Sequence, residues 1–97
     1  EDDKIVIKDI YDQYGYVADP HGAIGYAAVK EFQKLNPDYL GVYLETAHPA
    51  KFLNVMTKVL TVPIDVPDRL KAVANKEKSA HLLAPEYESV KEWLMTR

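Results

Sequence analysis

Two short segments hold most of the residues that could take part in chemistry, and they resemble each other. Residues 17–21 have the sequence VADPH, and residues 45–49 have the sequence ETAHP. Each runs from extended chain into a predicted helix whose start carries proline and histidine, and helix starts favour phosphate or carboxylate groups. Thr46 would end a strand at the edge where α/β proteins bind ligands, and Lys51 follows one turn into the helix. The residues therefore predict an anion-binding crevice near Thr46.

Each of these residues also has an ordinary structural explanation. Asp19 is a common helix N-cap, Thr46 could simply end a strand, and single histidines such as His21, His48 and His81 usually face solvent. A metal site built from Asp19, His21 and His48 lacks any short ligand spacing, so no metal is predicted. Nucleophilic catalysis is not predicted either, because the chain has no cysteine, no nucleophile elbow and no glycine-rich phosphate loop.

Hydrophobic spacing predicts the elements that must position these residues. Helices are expected over about 4–14, 20–36, 49–60, 68–75 and 85–95, with Gly15 closing the first and Asp19-Pro20 opening the second. Residues 39–46 contain consecutive apolar side chains, which predict one strand buried on both faces. The predicted class is therefore α/β, mostly helical with one core strand. A lone strand leaves backbone groups unpaired, so its partners must come from another copy or from a missing part of a longer protein.

Composition limits the remaining choices. The chain has 97 residues, a mass of 11.0 kDa, no cysteine and a net charge of −3, so residues 1–97 are treated as a single segment. The evenly spread lysines and arginines argue against nucleic-acid binding, and the short apolar runs argue against a membrane span. Absence of cysteine favours a reducing compartment, and we expect the cytoplasm.

Two motifs resemble those of the threonine synthase family. Residues 41–44 (GVYL) and 46–52 (TAHPAKF) resemble its carboxyl-terminal motif, and residues 15–23 (GYVADPHGA) resemble a second motif upstream. The resemblance implies a pyridoxal-phosphate (PLP) enzyme of fold type II, which is the tryptophan-synthase-β-like fold. Such enzymes convert O-phospho-L-homoserine and water to L-threonine and phosphate. Family members often have Thr or Ser where this chain has Gly22, which puts any hydroxyl contact there in doubt.

The resemblance also implies roles for single residues. Thr46 would bind the cofactor by facing its pyridine nitrogen, Asp19 and His21 would line the same crevice, and His48 and Lys51 would face the substrate phosphate. The family's Schiff-base lysine lies in a Phe-Lys-Asp motif that this sequence does not contain, and the loop that grips the cofactor phosphate is missing too.

The resemblance thus predicts a carboxyl-terminal fragment of a PLP-dependent lyase, without catalytic residues of its own, inactive alone and not expected to bind PLP. A start without methionine, inside a predicted helix, favours the same interpretation. We expect such a fragment to self-associate through residues 39–46. The alternatives are a self-standing small domain that binds an anionic ligand or a protein partner, and a metal-dependent enzyme that uses the histidines.

Overall fold

The computed structural model describes residues 2–97 as a set of helices joined by irregular segments. Five are α-helices, with a short 3₁₀ helix directly before the third. In chain order the elements are α1 (Asp2–Tyr14), α2 (Pro20–Leu35), the 3₁₀ helix (Pro49–Phe52), α3 (Leu53–Val59), α4 (Asp68–Lys71) and α5 (Tyr87–Met95). None of these helices is both long enough and apolar enough to cross a membrane.

Helix α1 ends and helix α2 begins at the predicted residues, while α1 starts two residues earlier and α2 ends one residue earlier than predicted. Gly15 follows α1 with a φ of 66°, a left-handed conformation that favours glycine, and its N–H donates to the Tyr11 carbonyl. Asp19 caps α2 by accepting a hydrogen bond from the His21 N–H, and Pro20 occupies the first helical position. Local capping chemistry therefore accounts for the turn between α1 and α2.

A small core joins α1, α2 and α3. Ile7 and Ile10 of α1 are completely or almost completely buried, and they pack in one cluster with Ala23 of α2 and Met56 of α3. Ala18, before α2, and Leu60, after α3, complete the cluster. The core thus holds the start of α2 close to α3, and through α3 to the 3₁₀ helix.

The predicted core strand over residues 39–46 is wrong. Within residues 2–97 the structure has no strand, and residues 40–46 carry no regular secondary structure. A strand exists only through ladder hydrogen bonds to a neighbour, and the helices of this chain use their own backbone groups internally. The α/β class therefore does not hold for the described residues, which are helical.

The tail only partly follows its prediction. Helix α5 forms over Tyr87–Met95, inside the expected range, whereas α4 is helical only over Asp68–Lys71 and the following residues form turns. Every residue from 71 to 88 is exposed, and no side chain of α5 is buried. The tail therefore contributes nothing to the core.

The chain is far more open than a compact domain of its size. Its accessible surface is 8200 Å², against about 5600 Å² for a folded monomer of this mass. Its radius of gyration is 18.3 Å, against about 13 Å for a compact domain. Much of the excess surface is apolar, with Leu35, Leu40, Val42 and Leu44 each at least 78% exposed. The structure has more apolar surface than it can bury by itself.

Candidate functional site

Asp19 is the most completely buried polar residue among those described. Its side chain has no exposed surface, and its Oδ1 accepts hydrogen bonds from the His21 N–H at 2.8 Å and from the His21 Nδ1 at 2.9 Å. Because a carboxylate only accepts, the second bond requires the His21 ring to carry its proton on Nδ1. The predicted pair Asp19 and His21 is therefore in direct contact.

Glu45 approaches this pair although the sequence did not single it out. Its Oε1 accepts the backbone N–H of Asp19 at 3.1 Å, across 26 residues of chain. The His21 ring also lies 5.1 Å from the Phe52 ring, measured between centroids. These two contacts bring the two proline-led segments together at the start of α2.

His48 caps the 3₁₀ helix. Its Nδ1 accepts the Ala50 N–H at 3.0 Å, so that nitrogen carries no proton and the ring's other nitrogen carries one. His48 also lines a cavity of about 430 Å³ together with Glu45, Tyr16 and the loop of residues 63–65. Each proline-led start is thus capped by its own side chain, which occupies N–H groups that an anion would use.

Thr46 and Lys51 lie apart from that cavity. Thr46 is exposed, and its hydroxyl has no hydrogen-bond partner within residues 2–97. Lys51 is exposed too, in a shallow depression formed by residues 50–55, without an ion pair to any described residue. The structure therefore groups Asp19 and His21, places His48 on the neighbouring cavity, and leaves Thr46 and Lys51 facing outward.

The pKa values of the two acidic groups move in opposite directions. Burial and the hydrogen bond with Asp19 raise the pKa of Glu45 from its ordinary 4.5 to about 7. Burial opposes ionisation of Asp19, but hydrogen bonds from Glu45, from His21 and from the Gly22 N–H outweigh it and lower the pKa of Asp19. Near neutral pH the site therefore holds one carboxylate and one carboxyl group that is close to its midpoint.

A metal centre finds no support in this geometry. Within residues 2–97, no group of three histidine, aspartate or glutamate side chains is arranged to hold a metal ion. The site can form hydrogen bonds through Asp19, Glu45 and the two histidines and can exchange a proton at its two acids, and the adjacent Thr46 has a hydroxyl without a hydrogen-bond partner among the described residues.

Comparison with known proteins places these residues in a family. A family model described as the carboxyl-terminal part of threonine synthase matches residues 22–94. The threonine synthase of Buchnera aphidicola subsp. Schizaphis graminum is 33% identical over 94 residues, which cover 97% of this chain and 21% of that protein. The threonine synthase of Escherichia coli K12 is 32% identical over 83 residues, which cover 86% of this chain and 19% of that protein. No solved structure matches.

The chain spans about a fifth of the length of the curated relatives it matches. The family match extends over most of the described residues, and it includes the start of the 3₁₀ helix, Thr46 and the helical tail. The chain therefore belongs to the threonine synthase carboxyl-terminal family.

Proposed function

We propose that this chain forms one wall of the active site in a PLP-dependent threonine synthase. The reaction is the conversion of O-phospho-L-homoserine and water to L-threonine and phosphate, a β,γ-elimination and replacement by a lyase of threonine biosynthesis. The observation that carries the proposal is the family match, together with the Thr46 hydroxyl in the matched segment, which has no hydrogen-bond partner within residues 2–97. Absence of cysteine suits a reducing compartment, so the proposed location is the cytoplasm.

The residues present fit the cofactor. Thr46 is exposed and has no hydrogen-bond partner among the described residues, so its hydroxyl is available to the pyridine nitrogen of PLP. When bound, PLP supplies an electron sink for elimination and replacement. Lys51 offers an exposed ammonium group on the same stretch of chain, suited to attract the substrate phosphate. His48 fixes the turn between Thr46 and Lys51 through its cap on Ala50.

The same proposal includes that the chain is inactive alone. The sequence has no Phe-Lys-Asp motif, and therefore no counterpart of the lysine that the family resemblance requires. The exposed apolar side chains of α2 and of residues 40–44 would be covered in the complete enzyme. An isolated wall with these properties has neither the reacting lysine nor the closed pocket.

A chimera tests the proposal. Residues 1–97 would replace the corresponding segment of the Escherichia coli relative, and phosphate release from O-phospho-L-homoserine would be measured. Activity is expected in the chimera and not in the 97-residue chain with added PLP. Thr46→Ala should lower kcat by about tenfold or more, as expected when one preorganised polar contact is lost. Thr46→Ser, which keeps the hydroxyl, is the matched control and should retain activity.

Cofactor absorbance of each variant shows whether the site has assembled. A chimera that binds PLP and turns over equally well with alanine or threonine at position 46 would refute the role of Thr46. A chimera that folds but takes up no PLP would argue against the proposed function as a whole.

A further inference from the structure

Two buried carboxyl oxygens at the start of α2 have no conventional partner. Asp19 Oδ2 and Glu45 Oε2 are both inaccessible, and neither meets a donor among the described residues. The other oxygen of each group is satisfied, since Asp19 Oδ1 binds His21 and Glu45 Oε1 binds the Asp19 N–H. Buried polar atoms without a partner are costly and call for a physical explanation.

A single proton shared between Asp19 Oδ2 and Glu45 Oε2 would give both atoms a hydrogen-bond partner. The two carboxyl groups are neighbours, because Glu45 Oε1 accepts the Asp19 N–H at 3.1 Å and Glu45 Oε2 rests against Gly22 in the helix that Asp19 caps. Two carboxylates cannot hydrogen-bond to each other, because each only accepts, and their charges would repel in a buried site. With one proton between them, one group donates and the other accepts, as in other paired acids that share a site.

The surroundings decide which group carries the proton. Asp19 Oδ1 accepts two hydrogen bonds from α2, from the His21 N–H and the His21 ring, and the carboxylate sits at the positive end of the helix dipole. Among the described residues, Glu45 accepts a hydrogen bond only from the Asp19 N–H. Asp19 is thus the better-stabilised anion, and Glu45 is the acid.

Gly22 provides the space that this arrangement needs. A Cβ at position 22 would lie 1.8 Å from Glu45 Oε2 and 2.4 Å from its Cδ, far inside any contact distance. The carboxyl group of Glu45 therefore rests against the backbone of α2 where only glycine leaves room. A side chain at position 22 would therefore displace the Glu45 carboxyl group.

Glu45 immediately precedes Thr46, so this contact ties the Thr46 segment to α2. We propose that Glu45 is held as a neutral acid that donates its proton to Asp19, and that this shared-proton pair is a positioning device for Thr46. The proton and the contact are properties of the chain itself, whereas the benefit for Thr46 rests on the proposed function. Raising the pH removes the proton and sets two carboxylates against each other, which releases residues 44–48 from α2.

Other titratable groups face Glu45 from each neighbouring element. Tyr16 and Tyr43 lie near enough for burial and the Glu45 charge to raise their pKa values. His21 favours the charged form of Glu45, while His48 and Asp65 line the cavity that Glu45 enters. Glu45 loses its proton near pH 7, at a lower pH than the tyrosines, so the release of residues 44–48 from α2 is attributed to the acid pair.

The test uses the 97-residue chain without cofactor or substrate. Carboxyl ¹³C signals of the glutamates are followed by NMR between pH 3 and 9, with far-UV circular dichroism to monitor the helices. One glutamate signal is expected to titrate near pH 7, and it should disappear in Glu45→Gln. A helical chain in which every glutamate titrates below pH 5 would overturn the proposal, and so would a chain without helical signal between pH 5 and 8.

Glu45→Gln separates the shared proton from a purely structural contact. The amide can accept the Asp19 N–H and donate to Asp19 Oδ2, so it imitates the neutral acid at every pH. The wild-type melting temperature should fall as the pH rises from about 5 to 8, and in Glu45→Gln that fall should disappear. Glu45→Ala should lower the melting temperature at every pH. An equal fall in the Gln variant would refute the proposal, even if the chimera binds PLP normally.

Discussion

Substitution of Gly22 by alanine provides a sharp test of the contact between α2 and Glu45. The added Cβ would meet Glu45 Oε2 at 1.8 Å, so the Glu45 side chain must leave its place. Its departure leaves the buried Asp19 N–H without its acceptor and Asp19 Oδ2 without the proton that the pair is proposed to share, while Asp19 Oδ1 keeps its bonds from His21. Alanine is normally the better helix former, so helix propensity alone predicts the opposite effect.

The loss of buried hydrogen bonds is larger than the gain in helix propensity, so Gly22→Ala should destabilise the chain. Loss of a partner for buried polar groups costs about 1–3 kcal/mol for each group, while replacing glycine by alanine in a helix contributes about 1 kcal/mol. We therefore expect Gly22→Ala to lower the free energy of unfolding by about 2 kcal/mol. For a chain of this length that corresponds to a melting temperature lower by about 8–16 °C.

Gly25→Ala is the matched control in the same helix. A Cβ at position 25 would lie 3.5 Å from the nearest atoms of Tyr43, an ordinary contact. This variant should keep or raise the melting temperature, because only the gain in helix propensity remains. The same gain should appear for Gly22→Ala when it is combined with Glu45→Ala, because the clash is then gone.

Thermal unfolding followed by circular dichroism at pH 6 measures all four variants: the two glycine substitutions, Glu45→Ala and the double variant. The effect of Gly22→Ala on the melting temperature is expected to change sign when Glu45 is removed. Gly22→Ala should lower the melting temperature of the chain that has Glu45 and raise that of the Glu45→Ala variant. If Gly22→Ala stabilises the chain with Glu45 in place, the side chain of Glu45 does not rest on α2 and the reasoning fails.

Two further predictions concern the stability of the chain in acid and its association at high protein concentration. Because hydrogen bonds lower the pKa of Asp19 from 3.8, its contribution to stability is complete above that value and is lost as the pH falls through the lower, folded-state value. Acid titration of the unfolding free energy should show this loss, and Asp19→Asn, an equally good cap, should remove it. Sedimentation should show association of the chain as concentration rises, because Leu40, Val42 and Leu44 are exposed. Leu44→Lys should weaken that association, and a monomer of 11.0 kDa at every concentration would contradict it.

The parts of the fold that were predictable depend on neighbours in the sequence. Asp19 and Pro20 open α2 through a hydrogen bond that spans two residues, and Gly15 closes α1 through one that spans four. Capping of this kind needs no information from the rest of the molecule. The predicted strand over residues 39–46 failed because a strand depends on a partner, and no other segment of residues 2–97 pairs with it.

The sequence predicted those site residues that it singled out in the two motifs, and it did not predict the contact with Glu45. Asp19 and His21 meet because they are two residues apart at a helix start, and spacing alone indicates that contact. Glu45 joins them from 26 residues away, which no local pattern reveals. A signal available in the sequence was Gly22, a glycine in the first turn of a helix, which leaves room for a close approach.

Gly22 connects the part of the site on α2 with the part formed by Glu45 and Thr46. A larger residue at position 22 would exclude the Glu45 carboxyl group, and without that group the Asp19 N–H would be buried without a partner. Gly22 and Glu45 therefore depend on each other, so the effect of a substitution at either position has to be judged together with the residue at the other. The same dependence attaches the Thr46 segment to the start of α2 at Glu45, while Tyr43 packs on Tyr26 further along the same helix. Residues 40–46 have no strand partner within residues 2–97, so side-chain contacts with α2, among them the Glu45 bond to the Asp19 N–H and the packing of Tyr43 on Tyr26, restrain them in place of a sheet.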